Sequence, residues 1–285
     1  LDRKTHQYGN RKVGVSMTEI WMFTAPYKKG ILKELTKCWK EYDGKKYIIG
    51  IEQGRTGYKH IQGRIKISAN TDYELVERIR KGKVSRRKGS KMFDRLSGLG
   101  YHVEKTEQWG DYESKDGYFI SSDDTEEIRA QRFGDFTDEQ KEVLRLLESN
   151  NDREVTVWYD ETGGVGKSWL TGALWERHKA HQVRMTTSAE GIIKDVCSKM
   201  DKERRPIVIV DIPRSGKWTP QIYEAIEVIK DGLIDDPRYS STAINIKGVK
   251  VLVMCNTKPK LDKLSKDRWK FYNAPVGATR ADAHI

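Results

Sequence analysis

The chain contains little cysteine and no long apolar run, and each absence excludes a class of protein. Three cysteines, Cys38, Cys197 and Cys255, lie far apart among 285 residues, with no CxxC or CxxH spacing. This pattern argues against a disulfide framework or a structural zinc site and favours a reducing compartment. The longest apolar runs, such as residues 207–210 and 251–255, are far shorter than the roughly 20 residues of a membrane-spanning helix. We therefore expect a soluble protein without a membrane partner.

The chain also lacks internal repeats, low-complexity tracts and a signal segment with a charged and then an apolar part. It begins at Leu1 instead of Met, which leads us to expect a trimmed terminus. With 36% hydrophobic residues, 8 Trp and 13 Tyr, the sequence has enough apolar material for buried cores. This composition argues against a disordered chain.

The excess of positive charge is unevenly distributed along the chain. The sequence has 53 Lys and Arg against 42 Asp and Glu, and residues 1–120 contain 26 of the basic and 15 of the acidic residues. Residues 121–160 contain 5 basic and 12 acidic residues, and the last 125 residues are net +7. Two basic blocks around an acidic joint are typical of two modules that both contact a polyanion. The alternative is a scatter of solvated surface charge.

At about 150 residues per domain, the length favours two domains. We assign the first domain to residues 1–120 and the second to residues 151–285. An acidic linker with a short helical or oligomerisation segment joins them over residues 121–150. Thr137 and Gln140 have the spacing of a capping box at the start of a helix, and Val143, Leu144 and Leu147 give that helix an apolar stripe.

The hydrophobic periodicity differs between the two domains. In the first, it predicts strands over residues 15–25, 47–52, 58–68 and 101–105 and helices over 31–42, 72–80 and 108–115, which indicates an α+β fold with an antiparallel sheet and helices on one face. In the second, strands over 155–159, 206–211 and 249–256 alternate with a helix from residue 167 and another over 220–229. This alternation predicts a parallel, three-layer α/β sheet.

Two polar residues of the first domain have the spacing of a metal site. Since residues two apart on a strand share a face, His60 and Gln62 point the same way, and Glu52 on the preceding strand can add a carboxylate. One carboxylate, one amide and one imidazole suit Mg²⁺ or Mn²⁺ better than zinc. Taken alone, a strand histidine beside a glutamine is more often structural.

A tyrosine and a lysine at helical spacing extend this set. Tyr112 and Lys115 lie three residues apart and therefore on one face of a helix. A tyrosine near a metal that polarises a phosphodiester can attack phosphorus, and a neighbouring lysine can stabilise charge or handle a proton. A YxxK tetrapeptide is common by itself, so its meaning depends on the neighbouring motifs.

Three segments occur in the order and approximate spacing of the rolling-circle motifs: Phe23-Thr24-Ala25, His60-Ile61-Gln62-Gly63 and Tyr112-Glu113-Ser114-Lys115-Asp116-Gly117. The set resembles the replication initiator (Rep) proteins of circular single-stranded DNA viruses, such as circoviruses and nanoviruses, which have the HUH endonuclease fold. In that family the second motif often has Gln in place of its second His. The resemblance implies a divalent metal at Glu52, His60 and Gln62, a nucleophile at Tyr112 that nicks single-stranded DNA and keeps the 5′ phosphate, and an assisting Lys115.

One stretch departs from the compact members of that family. Residues 81–91 contain six Lys or Arg, which is long and basic for this position. The run is consistent with a loop that follows DNA, with a nuclear-import signal, or with a solvated surface loop.

A second constellation has the pattern of a phosphate-binding loop. Between a predicted strand and a predicted helix stands the segment Gly163-Gly164-Val165-Gly166-Lys167-Ser168. In this context the loop amides and the helix N-terminus hold phosphates, the lysine reaches the β- and γ-phosphates, and Ser168 binds Mg²⁺. Glu161 occupies the position of the first glycine of the full pattern, so the entry geometry of the loop departs from it. The pattern predicts binding of ATP with Mg²⁺.

Two later strands supply partners for this loop. Residues 207–210 form an apolar run that ends in Asp211, a candidate ligand for Mg²⁺, although Ile212 stands where many ATPases carry a second acid. The next strand ends at Asn256, a candidate sensor of the γ-phosphate. Farther on, Arg268 is a candidate arginine finger that reaches into a neighbouring subunit, and the alternative is a surface charge or a DNA contact.

These elements resemble the superfamily 3 helicase domain that follows the endonuclease in the same Rep proteins, including the stretch Ile229-Lys230-Asp231-Gly232. In that family a hairpin carries a basic residue into a central channel, for which Lys247 and Lys250 are the nearest candidates. The resemblance covers residues 15–272 and implies a homo-oligomer, a hexamer in that family, around DNA.

The sequence thus predicts an initiator of rolling-circle replication in the host cell nucleus. It would nick and join single-stranded and origin hairpin DNA through a tyrosine-5′-phosphate intermediate and unwind DNA 3′ to 5′ with ATP. Two alternatives stay open: a plasmid relaxase or transposase, and a nucleic-acid-binding P-loop ATPase without nicking activity. Covalent capture of DNA by Tyr112 separates the nickases from the binding module.

Overall fold

The computed structural model describes residues 18–41, 44–54, 56–68, 101–183, 186, 188–236 and 242–272. The chain divides into two compact units, residues 1–123 and 124–285. A five-stranded antiparallel sheet forms in the first unit, and a five-stranded parallel sheet forms in the second. The predicted combination of an antiparallel and a parallel sheet is therefore confirmed.

The antiparallel sheet has the spatial order β4-β1-β3-β2-β5. Its strands are β1 (Thr18–Pro26), β2 (Gly44–Gln53), β3 (Lys59–Ser68), β4 (His102–Thr106) and β5 (Phe119–Ser121). Helix α1 (Ile31–Glu41) contributes Ile31 and Leu35 to a core with Phe23, Ile49 and Ile65. One face of the sheet is thereby covered by apolar packing.

Strand β3 shows how the opposite face becomes polar. Ile61 and Ile65 are fully buried, whereas the alternating residues His60, Gln62 and Arg64 are only partly buried. Because side chains alternate between the two faces of a strand, these three polar residues share the face that lies away from the apolar core. The candidate site is built on this polar face.

The helix predicted over residues 108–115 is wrong. Only Tyr112–Ser114 forms a short 3-10 turn, and residues 107–111 are neither helix nor strand. Gly110 has a low helix propensity, and Arg64 Nη1 donates a hydrogen bond to the carbonyl of Gln108 at 3.0 Å. A carbonyl that a helix would use is therefore bound by a side chain from the sheet. The helix predicted over 72–80 and the basic run over 81–91 lie outside the described residues.

The second unit begins with two helices. Helices α2 (Glu126–Phe133) and α3 (Asp138–Glu148) precede the first strand. The predicted capping box is confirmed: Thr137 Oγ1 accepts from the Gln140 amide at 3.2 Å, and Gln140 Oε1 accepts from the Thr137 amide at 3.0 Å. Val143 and Leu147 are buried in the core of this unit, so α3 is packed rather than a free linker.

The remaining elements alternate between strand and helix and then close with strands. In chain order they are β6 (Val155–Tyr159), α4 (Lys167–Glu176), β7 (Ala180–Gln182), α5 (Ala189–Lys202), β8 (Ile207–Asp211), α6 (Pro220–Asp231), β9 (Leu233–Asp236), β10 (Thr242–Asn245), β11 (Lys250–Cys255) and β12 (Trp269–Tyr272). The parallel sheet has the order β12-β6-β11-β8-β7, and β9 pairs with β10 as a separate hairpin.

Helices cover both faces of the parallel sheet. One core joins residues of α3 and α4 to Trp158 and Leu252, and the other joins residues of α5 and α6 to Val157 and Val253. Neighbouring residues of one strand thus enter different cores, as a sheet buried on both faces requires. The three-layer arrangement expected from the sequence is present, whereas the periodicity did not predict α2, β7, α5, the β9-β10 hairpin or β12.

Among the described residues, none of the helices combines the length and the apolar character that crossing a bilayer requires.

Candidate functional site

Glu52, near the end of β2, and His60, near the start of β3, face each other across the antiparallel sheet. The strand register pairs the two residues, and His60 Nε2 lies 3.3 Å from Glu52 Oε2. Glu52 is only 6% exposed, so water has little access to its carboxylate. Strand pairing alone brings together the predicted carboxylate and imidazole, whose side chains are close when they stand directly opposite.

Gln62 lies on the same face, two residues along β3 from His60. The register places it opposite Thr24 of β1 on one side and opposite Gly50 of β2 on the other. The segment around Thr24 and the segment around His60 are therefore neighbours in the sheet although they are distant in sequence. This is the arrangement that a shared site on one sheet face needs.

The 3-10 turn brings Tyr112 and Lys115 to the same cluster. Lys115 Nζ lies 2.9 Å from Glu52 Oε2 and also donates a hydrogen bond to Tyr112 Oη. Burial would lower the pKa of Lys115, but its hydrogen bonds to Tyr112 and Glu52 outweigh this effect and raise the pKa above the usual lysine value. Tyr112 is 50% exposed, and its hydroxyl lies next to the Lys115 amine.

The donor set fits a hard divalent cation. Glu52 Oε1 is buried and lacks a hydrogen-bond partner within the described part of the chain, so one carboxylate oxygen is available as a ligand. In the tautomer with its proton on Nδ1, His60 offers the Nε2 lone pair, 3.3 Å from Glu52 Oε2, as a second ligand for a cation; in the other tautomer Nε2 donates to this carboxylate. Among the described residues, no three His, Cys, Asp or Glu side chains are grouped so that they could hold a metal ion. A third protein ligand would therefore be an amide, such as that of Gln62, or a backbone carbonyl.

A buried ion pair under the turn was not predicted. Arg64 Nε donates to Glu113 Oε1 at 2.8 Å, and the Glu113 side chain is fully buried. A Cβ on Gly50 would lie 1.9 Å from the Glu113 carbonyl oxygen, so the turn rests directly on β2. The ion pair and the glycine together fix the position of Tyr112. Strand alternation could have placed Arg64 on this face, but the sequence carries no signal that buries Glu113.

In the second unit, the loop between β6 and α4 has the backbone of a phosphate cradle. Gly163, Gly164 and Gly166 have φ values of 81°, 85° and 86°, which are in the left-handed region that glycine adopts most readily. Gly166 caps the N-terminus of α4, where free backbone amides favour anions. Gly163 and Gly164 thus supply the turn in a loop whose first glycine is replaced by Glu161.

The lysine of this loop is paired with an aspartate that was not predicted. Lys167 Nζ lies 3.0 Å from Asp160 Oδ2, and the Gly163 amide donates to the same oxygen at 2.7 Å. Asn256 Nδ2 donates to the Asp160 carbonyl at 2.5 Å. These contacts bring Lys167 and Asn256 together at the carboxyl edge of the parallel sheet, and Asp160 holds the loop closed.

Ser168 and Asp211 line one cavity of about 420 Å³ at this edge. Burial raises the pKa of Asp211, and the charge of Lys167 opposes this shift. A cation at Asp211 would relieve the cost of burying its charge. The residues proposed from sequence to hold ATP and Mg²⁺ are therefore assembled at one edge, on the loop and on the ends of β8 and β11.

Glu161 and the neighbouring side chains define the surroundings of the loop. Glu161 is exposed and accepts a hydrogen bond from Tyr159 Oη at 3.2 Å. Gln140 Nε2 donates to the Gly166 carbonyl at 3.1 Å, and Arg214 Nη2 donates to the Thr162 carbonyl. Neither contact was predicted, because each joins the loop to a residue distant in sequence.

Three curated proteins give the comparison with known sequences. Para-Rep C7 of Faba bean necrotic yellows C7 alphasatellite is 29% identical over 137 residues, which is 47% of this chain and 47% of that protein. The master replication protein of Subterranean clover stunt virus (strain F) is 29% identical over 127 residues, and that of Banana bunchy top virus is 31% identical over 129 residues. Both of these matches span 45% of this chain and 42% of the relative.

Two of these relatives are named master replication proteins, and the third is named Para-Rep. The chain spans about half the length of the curated relatives it matches. No family model matches the chain. A solved structure of a formyltetrahydrofolate deformylase from Pseudomonas putida KT2440 aligns with 74% of this chain and 65% of the deformylase chain at 11% sequence identity. Its TM-score of 0.21 is too low to carry an argument.

Three predicted residues lie away from the loop. Arg268 is 4% exposed and donates to Asp231 Oδ1 at 2.8 Å, just before β12 begins. Lys247 lies 3.3 Å from Asp152 Oδ2 in the turn after β10, and Lys250 starts β11 and donates to the Asn150 carbonyl. These basic residues are not brought to the glycine-rich loop of their own chain, and their roles toward DNA or another subunit stay predictions.

Proposed function

We propose that the chain is an initiator of rolling-circle replication of circular single-stranded DNA, with an HUH endonuclease in its first unit and a superfamily 3 helicase in its second. The observation that carries the proposal is the cluster of Glu52, His60, Lys115 and Tyr112 on one face of the antiparallel sheet. The names of the relatives, master replication protein and Para-Rep, support the same role.

Tyr112 is the proposed nucleophile of the nicking reaction. Its oxygen attacks a phosphodiester, the bond to the 3′ oxygen breaks, and the 5′ phosphate stays on the tyrosine until a 3′ hydroxyl reverses the step and joins the strand. Lys115 donates to Tyr112 Oη and is placed to stabilise the charge that develops during the attack. Glu52, in contact with the same amine, holds it beside the nucleophile.

Glu52, His60 and Gln62 are the residues that would hold Mg²⁺ or Mn²⁺. A divalent ion at such a site polarises the phosphodiester and stabilises the charge that develops on its oxygens. The exposed Tyr112 ring leaves room for a DNA strand to approach, while the buried Glu52 is held rigidly by its strand.

The second unit is proposed to bind ATP with Mg²⁺ and to unwind DNA 3′ to 5′. The amides of the loop from Gly163 to Gly166 and Lys167 would hold the phosphates. Ser168 and Asp211 would hold Mg²⁺, and Asn256 would contact the γ-phosphate. The pairing of Lys167 with Asp160 requires the lysine to exchange a carboxylate for a phosphate when nucleotide binds.

Assembly and location belong to the same proposal. In a homo-oligomer, such as a hexamer, Arg268 would act on the nucleotide of a neighbouring subunit and Lys247 and Lys250 would contact DNA, with the virus replicating in the host nucleus. Since Arg268 is paired with Asp231 within the chain, it must leave this partner to act as a finger. If Arg268 acts in this way, mixing Arg268→Ala and Lys167→Ala proteins should restore part of the ATPase activity. Mixed oligomers that form but show no restored activity would contradict the role of Arg268 as an arginine finger.

Covalent capture of DNA tests the nicking function. Wild-type protein, incubated with a labelled single-stranded origin hairpin and Mn²⁺, should form an adduct that withstands denaturing electrophoresis. Tyr112→Phe removes the attacking oxygen and keeps the ring, so the adduct should disappear while ATP hydrolysis continues. The same capture assay with a chelator should give no adduct.

The outcomes separate the candidate functions. An adduct that persists in Tyr112→Phe contradicts the assigned nucleophile. Absence of any adduct, together with intact DNA binding and ATP hydrolysis, would favour a nucleic-acid-binding ATPase without nicking activity.

A further inference from the structure

An arginine outside the predicted motifs lies at the glycine-rich loop of the second unit. Arg214 stands three residues after Asp211, the end of β8, and its Nη2 donates a hydrogen bond to the Thr162 carbonyl. Arg214 is exposed, and within the described part of the chain it forms no ion pair, whereas Lys167 is paired with Asp160. The positive charge of Arg214 is therefore available to an anion at this loop.

The segment that carries Arg214 is held in place by two hydrogen bonds. The Gly216 amide donates to the Pro213 carbonyl at 2.7 Å, which closes a turn around Arg214. Two residues after this turn, Trp218 Nε1 donates to the Thr257 carbonyl at 3.0 Å, just beyond the end of β11. The guanidinium thus extends from an anchored turn at the carboxyl edge of the parallel sheet, where the loop also lies.

Gly163 shows how closely this guanidinium approaches the loop. A Cβ on Gly163 would lie 2.5 Å from Arg214 Nη2 and 3.8 Å from Asn256 Nδ2. Two hydrogen-bond donors, one after β8 and one after β11, therefore lie beside the same residue of the loop. Because glycine has no side chain, the loop leaves the space beside these donors open to a ligand.

The position along the loop indicates which phosphate Arg214 would contact. The amides at the N-terminus of α4 lie at the end of the loop, whereas Arg214 lies beside Thr162 and Gly163, near its start. Asn256, the proposed contact of the γ-phosphate, lies beside Gly163 as well. Arg214 and Asn256 are therefore placed for the terminal phosphate, on which negative charge develops during hydrolysis.

Arg214 differs from Arg268, the arginine that the sequence predicts to reach another subunit. Arg268 is 4% exposed, and its Nη2 is paired with Asp231 at 2.8 Å and with Glu227 at 3.4 Å. It must leave two carboxylates to contact a phosphate, whereas Arg214 has only to exchange the neutral Thr162 carbonyl for a phosphate oxygen. A hydrogen bond between charged groups is about twice as strong as one between neutral groups, so this exchange favours the phosphate.

We propose that Arg214 contacts the terminal phosphate of ATP bound to its own chain and acts as a catalytic residue in hydrolysis. This inference rests on the proposed ATPase function and names a further residue for it. A water oxygen forms a bond to the γ-phosphorus while the bond from this phosphorus to the β–γ bridging oxygen breaks, which gives ADP, inorganic phosphate and a proton. Arg214 stabilises the charge on the oxygens of the transferred phosphoryl group. When only ADP is bound, its guanidinium returns to the Thr162 carbonyl.

Binding and hydrolysis of ATP by Arg214→Ala, measured with the full chain and Mg²⁺, test this role. The variant should hydrolyse ATP with a kcat about 1,000-fold below that of wild type. It should bind a non-hydrolysable ATP analogue about tenfold more weakly and ADP as tightly as wild type, because only the analogue has the third phosphate. Equal kcat and equal affinity for the analogue would overturn the proposal. An equal loss of affinity for ADP would also overturn it, since the terminal phosphate would not be responsible.

Two further variants separate the guanidinium from positive charge in general. Lys217→Ala removes an exposed charge from the same segment and should leave kcat and both affinities unchanged. Arg214→Lys keeps the charge but lacks the planar fork that binds two phosphate oxygens, so it should recover only part of the lost kcat. Equal losses in Lys217→Ala and Arg214→Ala would contradict a specific role for Arg214.

The contact with Gly163 provides an independent test. Gly163→Ala places a Cβ against Arg214, whereas Gly164→Ala meets nothing within 4 Å and controls for strain at a similar φ. Gly163→Ala should lower kcat about tenfold more than Gly164→Ala. In an Arg214→Ala background the two glycine substitutions should have similar effects, because the displaced arginine is absent. The same tenfold difference in that background would contradict the contact.

Mixing Arg214→Ala with Lys167→Ala tests whether the arginine acts within its own chain. Another subunit cannot supply such a residue, so confirmed mixed oligomers should show no restored ATPase activity, and restored activity would overturn the assignment. Wild-type protein that neither binds nor hydrolyses ATP contradicts the proposed ATPase and with it the role of Arg214. Wild-type hydrolysis that Arg214→Ala retains in full contradicts the role of Arg214 alone.

Discussion

The two candidate sites for phosphate chemistry are built in opposite ways. In the first unit, side chains from paired strands and a short turn form the site: Glu52, His60, Lys115 and Tyr112 contact one another directly. In the second unit, the backbone forms most of the site, since three glycines with positive φ shape the loop before α4. The first site therefore depends on strand register and the second on loop conformation.

This difference determines which substitutions matter at each site. At the side-chain site, a change is damaging when it removes a reacting group or displaces the turn that carries Tyr112. At the backbone site, a change is damaging when it forces a glycine out of its left-handed conformation or removes Lys167. The residues of each candidate site come from one unit, so the two proposed activities should respond to mutation separately.

The largest expected effect is loss of ATP hydrolysis in Lys167→Ala. The variant lacks the lysine that the loop offers to the phosphates, and Asp160 loses its ion pair. Hydrolysis and unwinding should disappear, whereas nicking of a substrate that is already single-stranded should be unchanged. Steady-state ATPase and cleavage assays on the same preparation check this. Loss of both activities would contradict the claim that the two sites act separately, since it would show that the units are coupled.

Gly50→Ala should damage the side-chain site through the turn. The new Cβ would lie 1.9 Å from the Glu113 carbonyl oxygen, so the turn that carries Tyr112 must move. A displacement of about 1 Å at a reacting group costs roughly 100-fold in rate. Nicking should fall by about this factor, and ATP hydrolysis should not change.

Gly54→Ala is the matched control for this variant. The nearest atom to its Cβ is the Tyr58 carbonyl oxygen at 3.6 Å, an ordinary contact. Equal nicking rates for Gly50→Ala and Gly54→Ala would show that the turn does not need to rest on β2.

Two glycines of the loop test how strongly ATP binding depends on the backbone conformation of the second site. Gly166→Ala and Gly164→Ala both place a Cβ at positive φ, but only at Gly166 does it meet a neighbour, Gln140 Nε2 at 2.9 Å. Gln140 is held in its capping box and cannot easily move. Gly166→Ala should weaken ATP binding about tenfold more than Gly164→Ala, which corresponds to about 1.4 kcal/mol of overpacking. Titration with a fluorescent ATP analogue checks this, and equal affinities would contradict it.

The last expected effect concerns stability rather than activity. Lys230 is 1% exposed, donates to the carbonyls of Asn151 and Val249, and burial lowers its pKa to about 8. Because the unfolded lysine keeps its proton up to its ordinary pKa, near 10.4, the unfolded state binds more protons between these values. The free energy of unfolding should therefore rise, on the order of 3 kcal/mol, as the pH increases from about 8 to about 10.5.

Lys230→Met is the control for this pH dependence. It removes the titrating group and should lose this part of the rise, while other groups titrate as before. Denaturant unfolding of both proteins across this pH range measures the difference. The same rise in the variant would show that Lys230 is not responsible.

Local sequence patterns predicted many of the elements and several of the proximities within the candidate sites. Alternation placed His60 and Gln62 on one strand face, and the Thr137 and Gln140 capping box begins α3 as expected. Spacing of three residues brought Tyr112 and Lys115 together, since a 3-10 turn and an α-helix both place such residues side by side. These features depend on residues that are close together in the sequence, so they can be predicted from it.

The parts that were missed depend on contacts between distant segments. The Arg64 and Glu113 ion pair and the contact of Gly50 with the turn are set by strand pairing. The Asp160 partner of Lys167 and the Asp231 partner of Arg268 likewise follow from tertiary packing. No local pattern specifies which carboxylate will face which cation, so such pairs cannot be predicted from spacing.

Mapping the residue that carries the DNA tests the central claim most directly. After reaction with an origin oligonucleotide and Mn²⁺, the adduct would be digested and the modified peptide identified by mass spectrometry. The first unit exposes other tyrosines near the site, Tyr58 and Tyr118 among them, so the result discriminates between real alternatives. We predict the nucleotide on Tyr112, and a nucleotide on Tyr58 or Tyr118 with Tyr112 unmodified would contradict the account.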